Sequence, residues 1–330
     1  MFSKDIGIDL GTVNILIYIK GEGIALDEPS VVVVDEESKK IIAFGKEADE
    51  MLGRTPGKIK AIRPMKDGVI ADFELIQGLL EYLLKKVSKK VRIGKPRIII
   101  CCPSNTTEVE KNAIKDAAEK IGAKKVFLEE EPKVAALGAG LDISKPVGNM
   151  IVDIGGGTTD IAVLSLGDIV TSSSIKIAGN TFDKEIIEYV KNNYKLLIGE
   201  KTAENIKISL NEKTTDKNNN MKIRGRDLVG GLPKTINISK DEIEKALKPS
   251  IDKIVSEIKK VLEETPPELS ADIIDKGIML TGGGAKLYNL AKILKEELSL
   301  EIKIAEEPLE CVARGTGILL EQLDLIDRLL

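Results

Sequence analysis

What most constrains this chain is that one local pattern occurs in it twice. Residues 4–24, KDIGIDLGTVNILIYIKGEGI, and residues 149–170, NMIVDIGGGTTDIAVLSLGDIV, share one order. Each runs through an alternating apolar strand, an Asp, a Gly/Thr turn, a second strand and a glycine-containing turn into a third. Asp9, Gly11, Thr12 and Asn14 hold the places of Asp153, Gly155, Thr158 and Asp160. Gly156 and Gly157 read as two extra residues in the second copy, which sets Ile15 and Ile17 against Ile161 and Val163. Such a repeat half a chain apart predicts two related lobes, and 330 residues suffice for two ordinary cores.

After each hairpin unit the apolar spacing becomes helical. Phe73, Ile76, Leu79, Leu80, Leu83, Leu84 and Val87 form one stripe, and Leu247, Ile251, Ile254, Val255, Ile258 and Leu262 another. Further helices are expected over 107–121, stopped by Gly122, and over 182–198, stopped by Gly199. Ser239 followed by Glu242 is a capping-box start. Strands alternating with helices make each lobe α/β. Residues 211–227, NEKTTDKNNNMKIRGRD, are polar and read as a peripheral hairpin or loop.

Composition removes several chemistries. The sequence contains no histidine, which excludes Ser-His-Asp and Cys-His catalysis and His-ligated zinc. Cys101, Cys102 and Cys311 have the spacing of reduced core thiols, with no metal pattern. A hydrophobic content of 42%, a charged content of 31% and a net charge of −4 describe a globular chain that does not coat nucleic acid. Apolar runs such as 98–102 are far shorter than a spanning helix needs, and MFSKDIG lacks a signal-peptide core, so a cytoplasmic location is expected. There is no G-x-x-x-x-G-K-[ST] and no dinucleotide fingerprint.

A Gly/Thr turn directs several backbone N–H groups at one point and can cradle phosphate oxygens. Taken singly, each turn is more often a tight hairpin. Two such turns facing each other would clamp a polyphosphate from both sides, with Asp9 and Asp153 placed for a hydrated Mg²⁺. A third glycine run, IMLTGGGAKL at 278–287, either admits a flat ring or a phosphate or packs a strand closely on a helix.

These motifs resemble the superfamily of actin, heat-shock chaperone ATPase domains and sugar kinases, and within it the MreB family of bacterial actins. DIGIDLGTVN, EPSVVV, IKAIRPMKDGVIADF, EEPKVAALGAGL, GNMIVDIGGGTTDIAVLSLGDIV, IGEKTAENIKI, TPPELSADIIDKGIMLTGGG and EEPLECVARGTG follow in order and cover essentially the whole chain. The resemblance implies an actin-like ATPase fold of class α/β, with two ribonuclease H-like lobes around a nucleotide cleft. It places one lobe at 1–142 plus 309–330, with a smaller subdomain about 33–64. The other lobe is 143–308, with a subdomain about 181–244.

By the same resemblance Gly11, Thr12, Val13 and Asn14 contact one side of the ATP or ADP phosphates, and Gly155, Gly156, Gly157, Thr158 and Thr159 the other. Asp9 and Asp153 reach Mg²⁺ through water. Glu204 and Lys207 bracket the ribose and adenine, with Gly282, Gly283 and Gly284 beneath the base. Glu131, before the Pro of EEP, takes the catalytic place, and Thr158 helps hold the attacking water. Lys133, Glu129 and Asp160 depart from the usual family pattern.

The family implies a self-assembled filament, head-to-tail within a protofilament and antiparallel between paired ones, with a role in cell shape. It also implies attachment to the inner face of the cell membrane and RodZ-like or other shape and wall-elongation partners. KKVSKKVRIGKPR, residues 85–97, has seven basic residues and no acid. Its Lys89, Lys90, Val91, Arg92, Ile93 and Lys95 are the membrane candidates, each basic side chain worth about 1 kcal/mol near an anionic leaflet. A small-molecule kinase, a chaperone-type switch and an ATP-binding scaffold without hydrolysis are alternatives on the same fold.

Overall fold

The computed structural model describes residues 4–88, 94–104, 106–211 and 220–329. The first hairpin unit forms the strands Ile6–Leu10, Asn14–Ile19 and Gly23–Pro29, antiparallel in chain order. Arg97–Cys102 and then Lys125–Glu130 add in parallel beyond Ile6–Leu10. The second unit does the same with Asn149–Ile154, Thr159–Ser165 and Asp168–Ile175. Ile278–Thr281 and Ile302–Ile304 then add in parallel beyond Asn149–Ile154. The duplication therefore extends over two whole five-stranded sheets. Parallel neighbours need crossover helices, which is why helical stripes follow each hairpin unit. Each unit also has a register shift between its second and third strands, at Ile17/Tyr18 in the first and, two ladder positions further along, at Val163/Leu164 in the second.

The ladders correct the expected alignment of the two copies. Leu10 pairs with Ile15 and Ile154 with Thr159, so residues 11–14 and 155–158 are turns of equal length. Gly156 and Gly157 are not an insertion. Thr12 answers to Gly156, Val13 to Gly157, Asn14 to Thr158, Ile15 to Thr159, and Leu16 to Asp160. Matching like side chains had suggested a gap, whereas strand register follows backbone pairing.

The helix Phe73–Ser88 buries Ile76, Leu79, Leu80, Leu83 and Val87 against the first sheet, each such side chain worth roughly 1.5–3 kcal/mol. Glu108–Lys120 starts from a capping box at Thr107. Lys240–Glu264 starts from one at Ser239 and buries Leu247, Ile251, Ile254, Val255 and Ile258. The helix expected over 182–198 instead runs Gly179–Tyr194. Lys195 adopts a left-handed conformation with φ 51°, and Leu196–Leu197 leaves as a strand that pairs with Arg226 and Asp227. Tertiary pairing ends this helix before Gly199 does.

Leu196–Leu197, Asn220–Asp227 and Pro233–Ser239 make a small sheet, so much of the polar stretch 211–227 is strand, while 212–219 lie outside the described residues. A second small sheet, Ile41–Phe44, Val32–Asp35 and Ile59–Ile62, follows the first unit.

Two helices, Glu131–Gly138 and Cys311–Leu329, sit between the large sheets. A Cβ at Gly138 would lie 1.7 Å from the Cys311 carbonyl oxygen, and one at Gly315 2.0 Å from that of Val134. Only glycine permits so close a crossing. Val134, Ala135 and Val312 then join Cys101 of the first sheet to Ile151, Ala162 and Leu164 of the second in one apolar cluster.

Candidate functional site

The turn ends of both sheets border one cleft of about 910 Å³, within the range of small-molecule sites. Asp9, Gly11, Thr12, Val13 and Asn14 line it from the first sheet; Asp153, Gly155, Gly156, Gly157 and Thr158 line it from the second. Glu131, Glu204, Lys207, Gly282, Gly283 and Gly284 complete the set. Thr159 is placed differently. It is fully buried, and its hydroxyl donates to the Ile177 carbonyl at 2.6 Å, away from the cleft.

The two turns meet at their tips. A Cβ at Gly156 would come within 2.2 Å of the Val13 side chain, and one at Gly157 within 2.5 Å of the Thr12 hydroxyl. A third loop joins them: the Gly68 N–H donates to Thr12 Oγ1 at 3.3 Å, and Gly68 packs on the Thr158 methyl. Behind the second turn, the first N–H groups of the helix Gly179–Tyr194 are consumed locally. Gly179 donates to the Gly155 carbonyl at 3.1 Å and Asn180 to that of Gly156 at 2.8 Å. The first turn is braced from its flank, with Ser30 N–H donating to the Val13 carbonyl at 2.7 Å and Asn14 Nδ2 to Asp27 at 2.9 Å.

Glu204 and Lys207 both reach the cleft, and each already has a partner. Lys207 Nζ bridges Asp183 at 2.9 Å and the Gly179 carbonyl at 3.0 Å, which ties the helix Glu200–Ser209 to the second turn. Lys201 Nζ lies 3.1 Å from Glu204 and 3.1 Å from Asp49, which stands on the helix Gly45–Glu50 across the mouth of the cleft. The glycine run packs closely on the strand Asn149–Ile154 and borders the cleft. Cβ atoms at Gly282 and Gly284 would collide with Ile154 at 2.3 and 2.1 Å, and all three glycines face the cleft.

Three carboxylates, Asp9, Asp153 and Glu131, line the floor, and Asp160 is buried behind the second turn. Burial, then Asp153 and Asp27, push the Asp9 carboxyl up to about 8. Burial pushes Asp153 up to about 7, with Asp160 adding to the rise and a hydrogen bond from Thr281 at 2.7 Å opposing it. Glu131, 8% exposed, is raised well above the ordinary range by burial and then by Asp160, Asp9 and Asp153. Asp160 is raised by burial, with nearby hydroxyls and the Ser104 N–H opposing the rise. Such mutual repulsion suits a site that receives positive charge. Among the described residues no three of these groups converge as direct ligands of a bare ion.

A sequence model described as MreB/Mbl protein matches residues 3–328. The chain belongs to the MreB/Mbl family. It is 58% identical over 329 residues to the cell shape-determining protein Mbl of Bacillus subtilis (strain 168), covering 99% of each. It is 49% identical to the cell shape-determining protein MreB of Escherichia coli (strain K12), covering 98% of this chain and 95% of that one. Among solved structures it is similar to MreB5 of Spiroplasma citri bound to ADP, with TM-score 0.92, 43% identity and 97% of each chain covered. It is equally similar to MreB5 bound to AMPPNP, with TM-score 0.92, 42% identity and both chains covered in full. The fold is thus the actin-like ATPase fold.

Several cleft residues carried no local signal in the sequence. Asp183, Lys201 and Asp49 gain their places only through contacts between distant segments. Lys66, Asp67 and Gly68 stood within a recognised family stretch without an assigned role. In the basic segment, Lys89, Lys90, Val91, Arg92 and Ile93 lie outside the described residues. Of the rest, Lys86 bonds the buried Glu28 at 2.6 Å and Arg97 pairs with Asp5, while Lys95 is exposed. No helix among the described residues is long and apolar enough to cross a membrane.

Proposed function

We propose that this chain is an actin-like, ATP-binding and ATP-hydrolysing protein of cell shape that assembles with copies of itself into filaments. The observation that carries the reading is the cleft between two tip-to-tip glycine turns, floored by Asp9, Asp153 and Glu131. MreB5 of 43% identity, bound to ADP in one structure and AMPPNP in another, supports a nucleotide as its occupant. Relatives described as cell shape-determining support the cellular role. The hinge would lie at the Gly138–Gly315 helix crossing, between a lobe of residues 1–142 plus 309–330 and a lobe of 143–308. The segments about 33–64 and 181–244 would form their smaller parts.

In this reading the backbone N–H groups of Gly11–Asn14 and Gly155–Thr158 bind the phosphates from opposite sides. Glu204 and Lys207 flank the ribose and base, and Gly282–Gly284 leave room beneath the base. Asp9 and Asp153 fit a hydrated Mg²⁺ held through its waters, because both carboxylates line the cleft and do not close with a third ligand on a bare ion. When bound, that ion would offset phosphate charge. Glu131, aided by the Thr158 hydroxyl, orients the attacking water; phosphoryl transfer asks for positioning more than for a strong base. Water enters, the terminal phosphate leaves, and the cleft retains ADP. Self-assembly and attachment of the 85–97 segment, including Lys95, to an anionic membrane surface complete the proposal, with RodZ-like shape proteins as further partners.

Electron microscopy of the protein with Mg–ATP and anionic liposomes tests polymer and membrane together. Filaments on vesicles, released at high salt, are expected. Bare vesicles and no polymer at micromolar protein would refute assembly. Phosphorylation of a small acceptor without polymer would favour the kinase alternative.

A further inference from the structure

Three buried polar atoms gather where the lobes touch behind the second turn: the Ser104 hydroxyl, Asp160 Oδ2 and the Ser174 hydroxyl. The Ser104 N–H, just past the first-sheet strand Arg97–Cys102, donates across the lobes to Asp160 Oδ1 at 3.3 Å. Ser174 is the cross-strand neighbour of Asp160. Its hydroxyl approaches the carboxylate without completing a hydrogen bond. Asp160 is only 1% exposed. A carboxylate so deep and half-satisfied costs stability. The duplicated first lobe fills the same ladder position with Leu16, so this sheet design does not need an acid there.

What distinguishes the second copy is its surroundings. Thr158 stands two residues away with its hydroxyl beside Asp160, and its methyl is covered by Gly68 of the first lobe. The Glu131 carboxylate has no hydrogen-bond partner among the described residues, and after burial the like charge of Asp160 raises it most. We propose that Asp160 is a positioning residue for the reacting end: it ties the first lobe at Ser104 to the second turn and holds Thr158 in register. This rests on the hydrolysis reading above and goes beyond it. Lobe closure and the arrangement around the attacking water become one event, because a single side chain serves both.

The test compares nucleotide affinity with single-turnover phosphate release on the full chain with Mg–ATP, for wild type, Asp160→Asn and Asp160→Glu. Asp160→Asn keeps the shape and replaces one carboxylate oxygen. Its affinity should stay within about twofold of wild type while phosphate release slows about tenfold or more. Asp160→Glu, which restores the carboxylate, should recover release to within about threefold. Unchanged release in Asp160→Asn would overturn the inference. So would a loss of affinity and melting temperature with normal turnover of whatever nucleotide binds. Should Asp160→Asn not fold, hydrogen exchange at the Ser104 amide of wild type decides. Slowing of about tenfold or more relative to a free amide supports the tie, and free-amide exchange refutes it. A wild-type chain that releases no phosphate refutes the hydrolysis reading and this inference together, whereas a failure confined to Asp160 leaves hydrolysis standing.

Discussion

The two cleft-facing turns have the same length, the same strand pairing and an Asp entering each, yet their side chains and supports differ. Gly11–Asn14 carries side chains, braced by Ser30, Asp27 and Gly68. Gly155–Thr158 is bare backbone until Thr158, pinned from behind by the start of a helix, with Asp160 in place of Leu16. In the proposed reading duplication supplies a clamp with two jaws, and divergence would make one jaw a holder and the other the reacting edge. The polar additions cluster on the second jaw together with Glu131, which stands at the start of the helix Glu131–Gly138 between the lobes.

The largest way to break this comparison is to exchange the characters of the tips. At Gly157 a Cβ would sit 2.5 Å from the Thr12 hydroxyl and 2.9 Å from the Gly68 backbone nitrogen, and backbone cannot swing aside. Gly157→Ala should weaken nucleotide binding by about 100-fold, whereas Val13→Ala on the opposite jaw should change it by no more than about threefold. Calorimetric titration with Mg–ADP measures both. Equal losses would mean that the jaws are interchangeable.

A smaller effect separates the two entering carboxylates. Both are raised in the folded chain, Asp9 to about 8 and Asp153 to about 7, above the ordinary carboxylate value of the unfolded chain. The folded state therefore holds protons that the unfolded state has released, and the empty protein loses stability as pH rises from about 4 to 8. Its melting temperature should fall by a few degrees between pH 6 and pH 8, and Mg–nucleotide should narrow that gap. Asp9→Asn should stabilise the empty chain at pH 8. Asp153→Asn should gain less, since it perturbs the Thr281 hydrogen bond. A flat pH profile would argue against two carboxylates raised by burial.

The smallest effect lies at the mouth of the cleft, where Lys201 bridges Glu204 and Asp49 from opposite sides. Lys201 is 50% exposed on its side chain, so this pair is a weak, salt-screened latch. Asp49→Asn should speed nucleotide release about two- to threefold at low salt and hardly at all at high salt. Stopped-flow release of a fluorescent nucleotide would show it.

Much of this was legible in the sequence because the turns demand particular residues. Glycine where a backbone approaches closely and Asp at the strand end follow from backbone chemistry, so the repeat, the two facing turns and the α/β lobes could be read directly, whereas Glu131, Glu204 and Lys207 came only through the family resemblance. The alignment inside the repeat could not, since it follows ladder register: Asn14 looked like the mate of Asp160 and is the mate of Thr158. The helix end at Lys195 was hidden for a similar reason, because Leu196 joins a sheet whose other strands come later in the chain. Thr159 shares its neighbour's chemistry and not its direction, as strand alternation turns it inward. Asp183, Lys201 and Gly68 matter through partners 24, 152 and 56 residues away, beyond any local pattern.

The central claim is that binding uses both jaws while turnover uses the second jaw and Glu131. Phosphate release and pelleting, followed together on wild type and Glu131→Gln with Mg–ATP, test it most directly. The account predicts that the variant binds ATP and pellets as wild type does while phosphate release falls about 100-fold. Equal phosphate release from the two proteins would contradict it.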